Sequence, residues 1–271
     1  MDRMQETVTT ARARGLTGRY RIGLVLGTGL SPVVDLVEDA VSVSYADLPG
    51  FPVPGVTGHG GILMGGRIGE VPVLVLSGRS HFYESGDIAA MRVPLETLAA
   101  LGVETLLLTC SAGSVNPEIA PGRLCIIRDH LNLSGMSPLV GEPGDGRFLP
   151  LGDAYSPTIA ERLRRAAAAM SVRCAEGVYM FFPGPNFETA AEVRAARILG
   201  ADLVGMSVVP EVVIARRLGL EVGAVAMVTN YGTGLAGAAP SHQETRSMAS
   251  AGASELARLL ARFCGDAHHG S

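Results

Sequence analysis

Short apolar runs alternate along this chain with stretches in which apolar residues recur every three or four positions. The short runs predict nine strands: Ile22–Leu26, Val41–Tyr45, Gly61–Met64, Val71–Leu76, Thr105–Thr109, Leu124–Ile127, Val178–Phe182, Asp202–Val204 and Val222–Thr229. The longer period predicts helices over Ile88–Leu101, Pro157–Met170, Ala190–Leu199, Pro210–Arg217 and Gln243–Phe263. A glycine follows the apolar pattern at Gly102, Gly200 and Gly219, as helix ends favour. Several strands crowd together before the first clear helix. A doubly wound sheet would alternate strand and helix from the start. The pattern therefore predicts an α/β fold with a mixed sheet and helices around it.

No linker rich in serine or charge divides the 271 residues, so one domain over 1–271 is expected, with its core at about 20–265. No segment of 20–50 residues recurs, which excludes a solenoid. Charged residues are only 18% of the chain, below the usual share of about 25%. With 35 glycines, this predicts close packing and some surface buried in an oligomer. The net charge of −4 gives no general attraction to nucleic acid or to an anionic membrane. Any anion site must be local.

Cys110, Cys125, Cys174 and Cys264 form no Cys-x-x-Cys pair and have no histidine at zinc-ligand spacing. Reduced, buried thiols in a cytoplasmic protein are expected, with no metal. The segment before Tyr20 carries charges throughout, unlike a signal peptide. The uncharged stretch Val222–Ser241 is broken by Thr229-Asn230-Tyr231-Gly232-Thr233-Gly234 and is a strand entering a loop, not a membrane span. The tail from Asp266, with His268-His269, is expected to fray.

Unusual chemistry gathers at the ends of the apolar runs. Gly27-Thr28-Gly29-Leu30-Ser31 could turn backbone N–H groups and a hydroxyl onto one anion. A dinucleotide fold would need a third glycine, and position 32 is proline. After Val71–Leu76 come Arg79, a planar fork suited to phosphate, and then His81 and Tyr83. Continued extension would point these three the same way. His59 lies in a loop too rich in glycine for a core position. Small residues in Thr109-Cys110-Ser111-Ala112-Gly113-Ser114 would let a ligand approach the backbone. Gly184-Pro185-Asn186-Phe187-Glu188-Thr189, Gly205-Met206-Ser207, Val209-Pro210-Glu211 and Val228-Thr229-Asn230 add a ring, carboxylates, a hydroxyl and a carboxamide. Such groups suit a flat, polar-edged ring beside a sugar and an anion.

Taken in order, these motifs, with Gly58-His59-Gly60-Gly61, Arg79-Ser80-His81-Phe82-Tyr83-Glu84 and Arg128-Asp129-His130-Leu131-Asn132, resemble the trimeric purine nucleoside phosphorylases and methylthioadenosine phosphorylases. The likeness runs from about Ile22 to Phe263. It implies reversible phosphorolysis of a purine nucleoside to free base and ribose 1-phosphate, with inorganic phosphate as co-substrate and no cofactor. It implies a mixed, partly barrel-like central sheet flanked by helices, and a homotrimer with sites near subunit boundaries. Carried onto this sequence, it implies that Thr28, Arg79, His81, Ser111 and Ser207 bind phosphate. It places His59, Tyr83, Met206 and His242 around the ribose, and Phe187, Glu188 and Asn230 around the base. Phe148 is the best match to a phenylalanine that closes the neighbouring subunit's site.

Within the resemblance, Asn230 and Glu188 point to the branch that takes 6-oxopurines (inosine, guanosine) in purine salvage, with Glu188, Asn230 and His81 closest to the chemistry. A methylthioadenosine or methylthioinosine phosphorylase is the alternative. From other classes, a nucleotide-dependent oxidoreductase or a silent nucleoside-binding protein would have to explain the same residues. Loss of Glu188 is expected to cost far more activity than loss of Glu84.

Overall fold

The computed structural model describes residues 3–53, 55 and 60–266 of the chain. Nine strands form one mixed sheet: β1 Ile22–Val25, β2 Glu38–Ser44, β3 Ile62–Ile68, β4 Val71–Ser77, β5 Thr105–Ser114, β6 Leu124–Asn132, β7 Cys174–Phe181, β8 Leu203–Gly205 and β9 Glu221–Tyr231. The order is β2-β3-β4-β1-β5-β8-β7-β6-β9, and β9 pairs back onto β5. Strands β5, β8, β7, β6 and β9 thus close a ring, while β1 to β4 extend from it as an open wing. The expected half-closed sheet is present, and all nine predicted strands fall on observed ones.

Strand β5 makes closure possible. Its first half lies between β1 and β9, with Thr105 opposite both Ile22 and Glu221. Its last residues pair instead with β8, Gly113 opposite Val204, while staying on β9. The run Leu106-Leu107-Leu108 is continuously apolar because both faces of the strand are covered. Leu106 and Leu108 join the cluster containing Leu95, Leu98 and Val212. Leu107 joins Ile159, Leu163, Leu256 and Phe263 on the other face.

The helices are α1 Arg3–Ala13, α2 Phe82–Ser85, α3 Arg92–Ala100, α4 Pro157–Ala169, α5 Ala190–Ile198, α6 Val209–Arg217 and α7 His242–Asp266. Helix α1 was not expected from the polar N-terminal segment. It buries only Thr7 and Ala11, too little for an apolar stripe. Helix α3 starts four residues later than the apolar pattern suggests. Pro94 lacks an N–H and its ring crowds the carbonyl four residues back, so it is tolerated only in a first turn.

The expected extension from Arg79 to Tyr83 is also interrupted. His81 caps α2, and a reciprocal bond with Glu84 starts the helical turn at Phe82. Among the described residues, no helix is long and apolar enough to cross a membrane, and no group of three acidic, histidine or cysteine side chains could hold a metal. Residues 267–271, with His268 and His269, lie outside the described residues.

Candidate active site

One cavity, of about 680 Å³ including its open mouth, collects the ends of six strands and the start of α7. Its wall includes Thr28 after β1, Arg79 and His81 after β4, Tyr83 on α2, and Ser111 on β5. Phe187 and Glu188 join it from the loop after β7, Met206 and Ser207 after β8, Asn230 on β9, and His242 at the start of α7. Eleven of the thirteen expected site residues therefore share one space. His59 lies outside the described residues. Phe148 does not line the cavity of its own chain: it is 72% exposed, with the Arg147 guanidinium 5.0 Å from its ring centre.

The end holding Thr28, Arg79, His81 and Ser207 is braced by two carboxylates, the buried Glu211 and the partly buried Glu84. Arg79 is 1% exposed, donating from Nε to Glu211 Oε1 at 2.7 Å and from Nη1 to the Thr109 carbonyl at 2.5 Å. Tyr45 donates to the carbonyl of Gly78 at 2.9 Å, which fixes the backbone just before Arg79. Glu84 Oε1 accepts from the His81 N–H at 2.6 Å and lies 3.0 Å from His81 Nδ1. Its other oxygen accepts from Gly55 N–H at 2.7 Å. Burial opposes ionisation of Glu84, yet these bonds hold its carboxyl at about 2.

The Ser111 hydroxyl donates to the Thr28 carbonyl at 3.3 Å, so its single proton ties two loops together. The rings of His81 and Tyr83 stack at 4.8 Å despite the helical turn between them. Burial, then the Glu84 charge, push the Tyr83 hydroxyl up to about 12.

The other end is built differently. Glu188 is 5% exposed, and its Oε1 has no hydrogen-bond partner in the protein. Burial pushes its carboxyl above the usual range. A carboxylate desolvated without a partner is costly, so this oxygen points to a donor on a ligand. Asn230, 6% exposed, accepts at Oδ1 from the Thr229 hydroxyl at 2.8 Å. Its Nδ2 donates to the Tyr231 carbonyl at 2.9 Å. The Thr245 hydroxyl lies 3.5 Å from the same Oδ1, a long second contact, so one N–H of the carboxamide remains for the cavity.

Two glycines allow this closeness. A side chain at Gly113 would come within 3.0 Å of Asn230 Nδ2. Gly184, at φ +69°, lies so close to Met206 and Tyr83 that a side chain would meet both.

The chain matches the phosphorylase superfamily over residues 21–264. It belongs to that superfamily and, within it, to the purine nucleoside phosphorylases. It is 42% identical over 245 residues to the purine nucleoside phosphorylase of Mycobacterium tuberculosis, covering 90% of this chain and 88% of that one. It is 41% identical over 228 residues to purine nucleoside phosphorylase 1 of Geobacillus stearothermophilus, 83% of each chain. Among solved structures, Schistosoma mansoni purine nucleoside phosphorylase in complex with adenosine superimposes with a TM-score of 0.90 at 30% identity, covering 97% of this chain and 96% of that one. The phosphorylase fold therefore extends across the whole described sheet.

Several wall or bracing residues were not singled out from the sequence. Glu211 stood in the Val-Pro-Glu motif without a role, because only the fold brings α6 against Arg79. Glu84 had a local signal in His81-x-x-Glu84, the spacing of a capping box. Thr229 and Thr245 line the cavity beside Asn230. Thr245 carries no local signal, and its place depends on where α7 begins.

Proposed function

We propose that this chain is a purine nucleoside phosphorylase that cleaves 6-oxopurine nucleosides with inorganic phosphate. The observation that carries the reading is the unpartnered Glu188 oxygen in one cavity with the spare N–H of the Asn230 carboxamide. A 6-oxopurine offers N1–H to an ionised Glu188. It offers O6 to the spare Asn230 N–H, and N7–H, once formed, to Oδ1 in place of the long Thr245 contact, since the Thr245 hydroxyl keeps the Ser241 carbonyl at 3.0 Å. Phe187 supplies an apolar wall. Tyr83, Met206, His242 and His59 take the ribose.

At the far end Thr28, Arg79, His81, Ser207 and the backbone at Ser111 take phosphate. In the reaction a phosphate oxygen bonds to C1′ as the C1′–N9 bond breaks, and the electron pair leaves with the purine. Positive charge on the sugar is stabilised by the adjacent phosphate. Negative charge on the base is stabilised by Asn230. Holding both substrates in one cavity supplies much of the rate through proximity.

Among relatives with solved structures, a schistosoma purine nucleoside phosphorylase holds hypoxanthine, a 6-oxopurine, and isoform 2 from Schistosoma mansoni holds ribose 1-phosphate with cytosine. The exposed Phe148 and the neighbouring Val140, 81% exposed, support a homotrimer in which Phe148 closes the next subunit's cavity. The test is release of free base from inosine, guanosine, adenosine and methylthioadenosine, each with and without phosphate. Phosphate-dependent cleavage of inosine and guanosine, with adenosine poor, is expected. Equal turnover of adenosine would remove the 6-oxopurine assignment, and cleavage without phosphate would remove phosphorolysis.

A further inference from the structure

Val208 has φ +55° and ψ −43° and is wholly buried. A β-branched residue at positive φ is a genuine outlier. The cause is a γ-turn: Val209 N–H donates to the Ser207 carbonyl at 2.7 Å, across a single residue. This left-handed form of the γ-turn is rare and strained for any residue with a Cβ. The Val208 side chain packs in the same core cluster as Val209 and Val212, and its carbonyl accepts from Val212 N–H at 2.8 Å. Core packing and α6 together hold the turn in place.

The turn separates two groups at one end of the cavity, one lining it and one behind Arg79. Before it lies Ser207, whose N–H donates to Tyr179 Oη at 3.2 Å and whose carbonyl closes the turn. After it, in the first turn of α6, lies Glu211, which holds Arg79 Nε. Ser207 and Arg79 line the same cavity. Relaxation of Val208 to negative φ would redirect the Ser207 carbonyl and move Glu211 relative to the sheet.

We propose that Val208 is a positioning residue for phosphate, because its left-handed turn conformation sets Ser207 and the Glu211-held Arg79 against one anion. The proposal rests on the phosphorolysis reading for the identity of that anion. The side chain acts as the anchor that keeps a strained conformation. Conformation and packing can therefore be separated. Glycine lacks a Cβ, so the turn and its mirror image cost it the same. Alanine keeps the strain and loses most of the anchor.

The experiment compares the full-length parent with Val208→Ala and Val208→Gly. It measures KM for phosphate and for inosine, thermal stability, and calorimetric binding of inorganic phosphate alone. Val208→Ala is expected to raise the phosphate KM and the phosphate dissociation constant at least fivefold, with the inosine KM within twofold. Val208→Gly is expected to restore phosphate binding to within twofold of the parent and to be no less stable than Val208→Ala. A packing role predicts the reverse order, alanine milder than glycine. That order, failure of the glycine chain alone to fold, or equal changes in both KM values would overturn the proposal. A parent that binds phosphate but cleaves no nucleoside would remove the phosphorolysis reading, while the binding order of the variants would still decide the role of Val208.

Discussion

The Thr229 hydroxyl donates to Asn230 Oδ1 at 2.8 Å and holds that oxygen in place. Nδ2 faces the Tyr231 carbonyl, which can only accept, so the amide has one satisfied orientation. Thr229 is therefore a positioning residue for Asn230. Thr229→Val keeps the shape and removes the hydroxyl. It is expected to lower kcat for inosine about tenfold, equivalent to about 1.4 kcal/mol in the barrier, with little change in the phosphate KM. Steady-state kinetics with each substrate varied would check it. An unchanged kcat would mean that Tyr231 alone orients the amide.

Asn230→Asp replaces the spare N–H with an acceptor. A 6-amino group can donate to that position, and a 6-oxo group cannot. The adenosine-to-inosine ratio of kcat/KM is expected to rise at least tenfold, with a loss of stability because the Tyr231 carbonyl loses its donor. The neutral Asn230→Ala control should lower both substrates together. An unaltered ratio in Asn230→Asp would remove Asn230 from base selection.

Glu188 gives a prediction in pH. Burial, its largest influence, raises its folded-state pKa above the unfolded value. Its favourable contribution is therefore fully present below the unfolded pKa and is lost as pH rises through the folded pKa. Glu188→Gln removes this loss and should be more stable than the parent at neutral pH, by about 1 kcal/mol. The difference should shrink on acidification, as urea unfolding at several pH values would show. The same variant should lose about a hundredfold in kcat/KM for inosine, because the ionised acceptor for N1–H is gone. Greater stability with unchanged activity would place the base elsewhere.

Glu84 behaves in the opposite sense. Bonds from His81 and Gly55 hold its carboxyl at about 2, below the ordinary 4.5. Its contribution is present above the unfolded pKa and is lost as pH falls from about 4.5 towards 2. Glu84→Gln should flatten that acid loss. It should also raise the phosphate KM about tenfold, since one amide end now presents a donor to the His81 or Gly55 N–H. Loss of Glu188 is still expected to cost far more activity than loss of Glu84. An acid unfolding profile identical to the parent's would show that the bonds contribute nothing to stability.

These residues also show what the sequence carried. The nine strands were legible because each is a short apolar run, and the mixed sheet followed from their crowding, while its partial closure followed only from the order of the motifs. The cavity wall was legible because its residues sit at strand ends and match ordered motifs. The supports were not. Glu211 reaches Arg79 across 132 positions of sequence, and no local pattern encodes that. Val208 lies in an ordinary apolar string, Ser207-Val208-Val209, and its strain exists only once α6 and Ser207 are both fixed. Tertiary packing decided these details, as it did the N-terminal helix.

The buried pair of Arg79 and Glu211 carries the last prediction. Both side chains are at most 4% exposed, so each charge depends on the other. Removing one member of such a pair costs about 3–5 kcal/mol. Glu211→Gln keeps an acceptor for Arg79 Nε but removes the charge that balances the guanidinium. The free variant should be destabilised by about 3 kcal/mol. Phosphate would then supply the missing negative charge. Saturating phosphate should therefore stabilise the variant more than the parent, in urea unfolding with and without the anion. By linkage, a larger stabilisation means that the anion's binding is coupled to the charge at position 211. Equal stabilisation of both chains would mean that the anion lies away from Arg79.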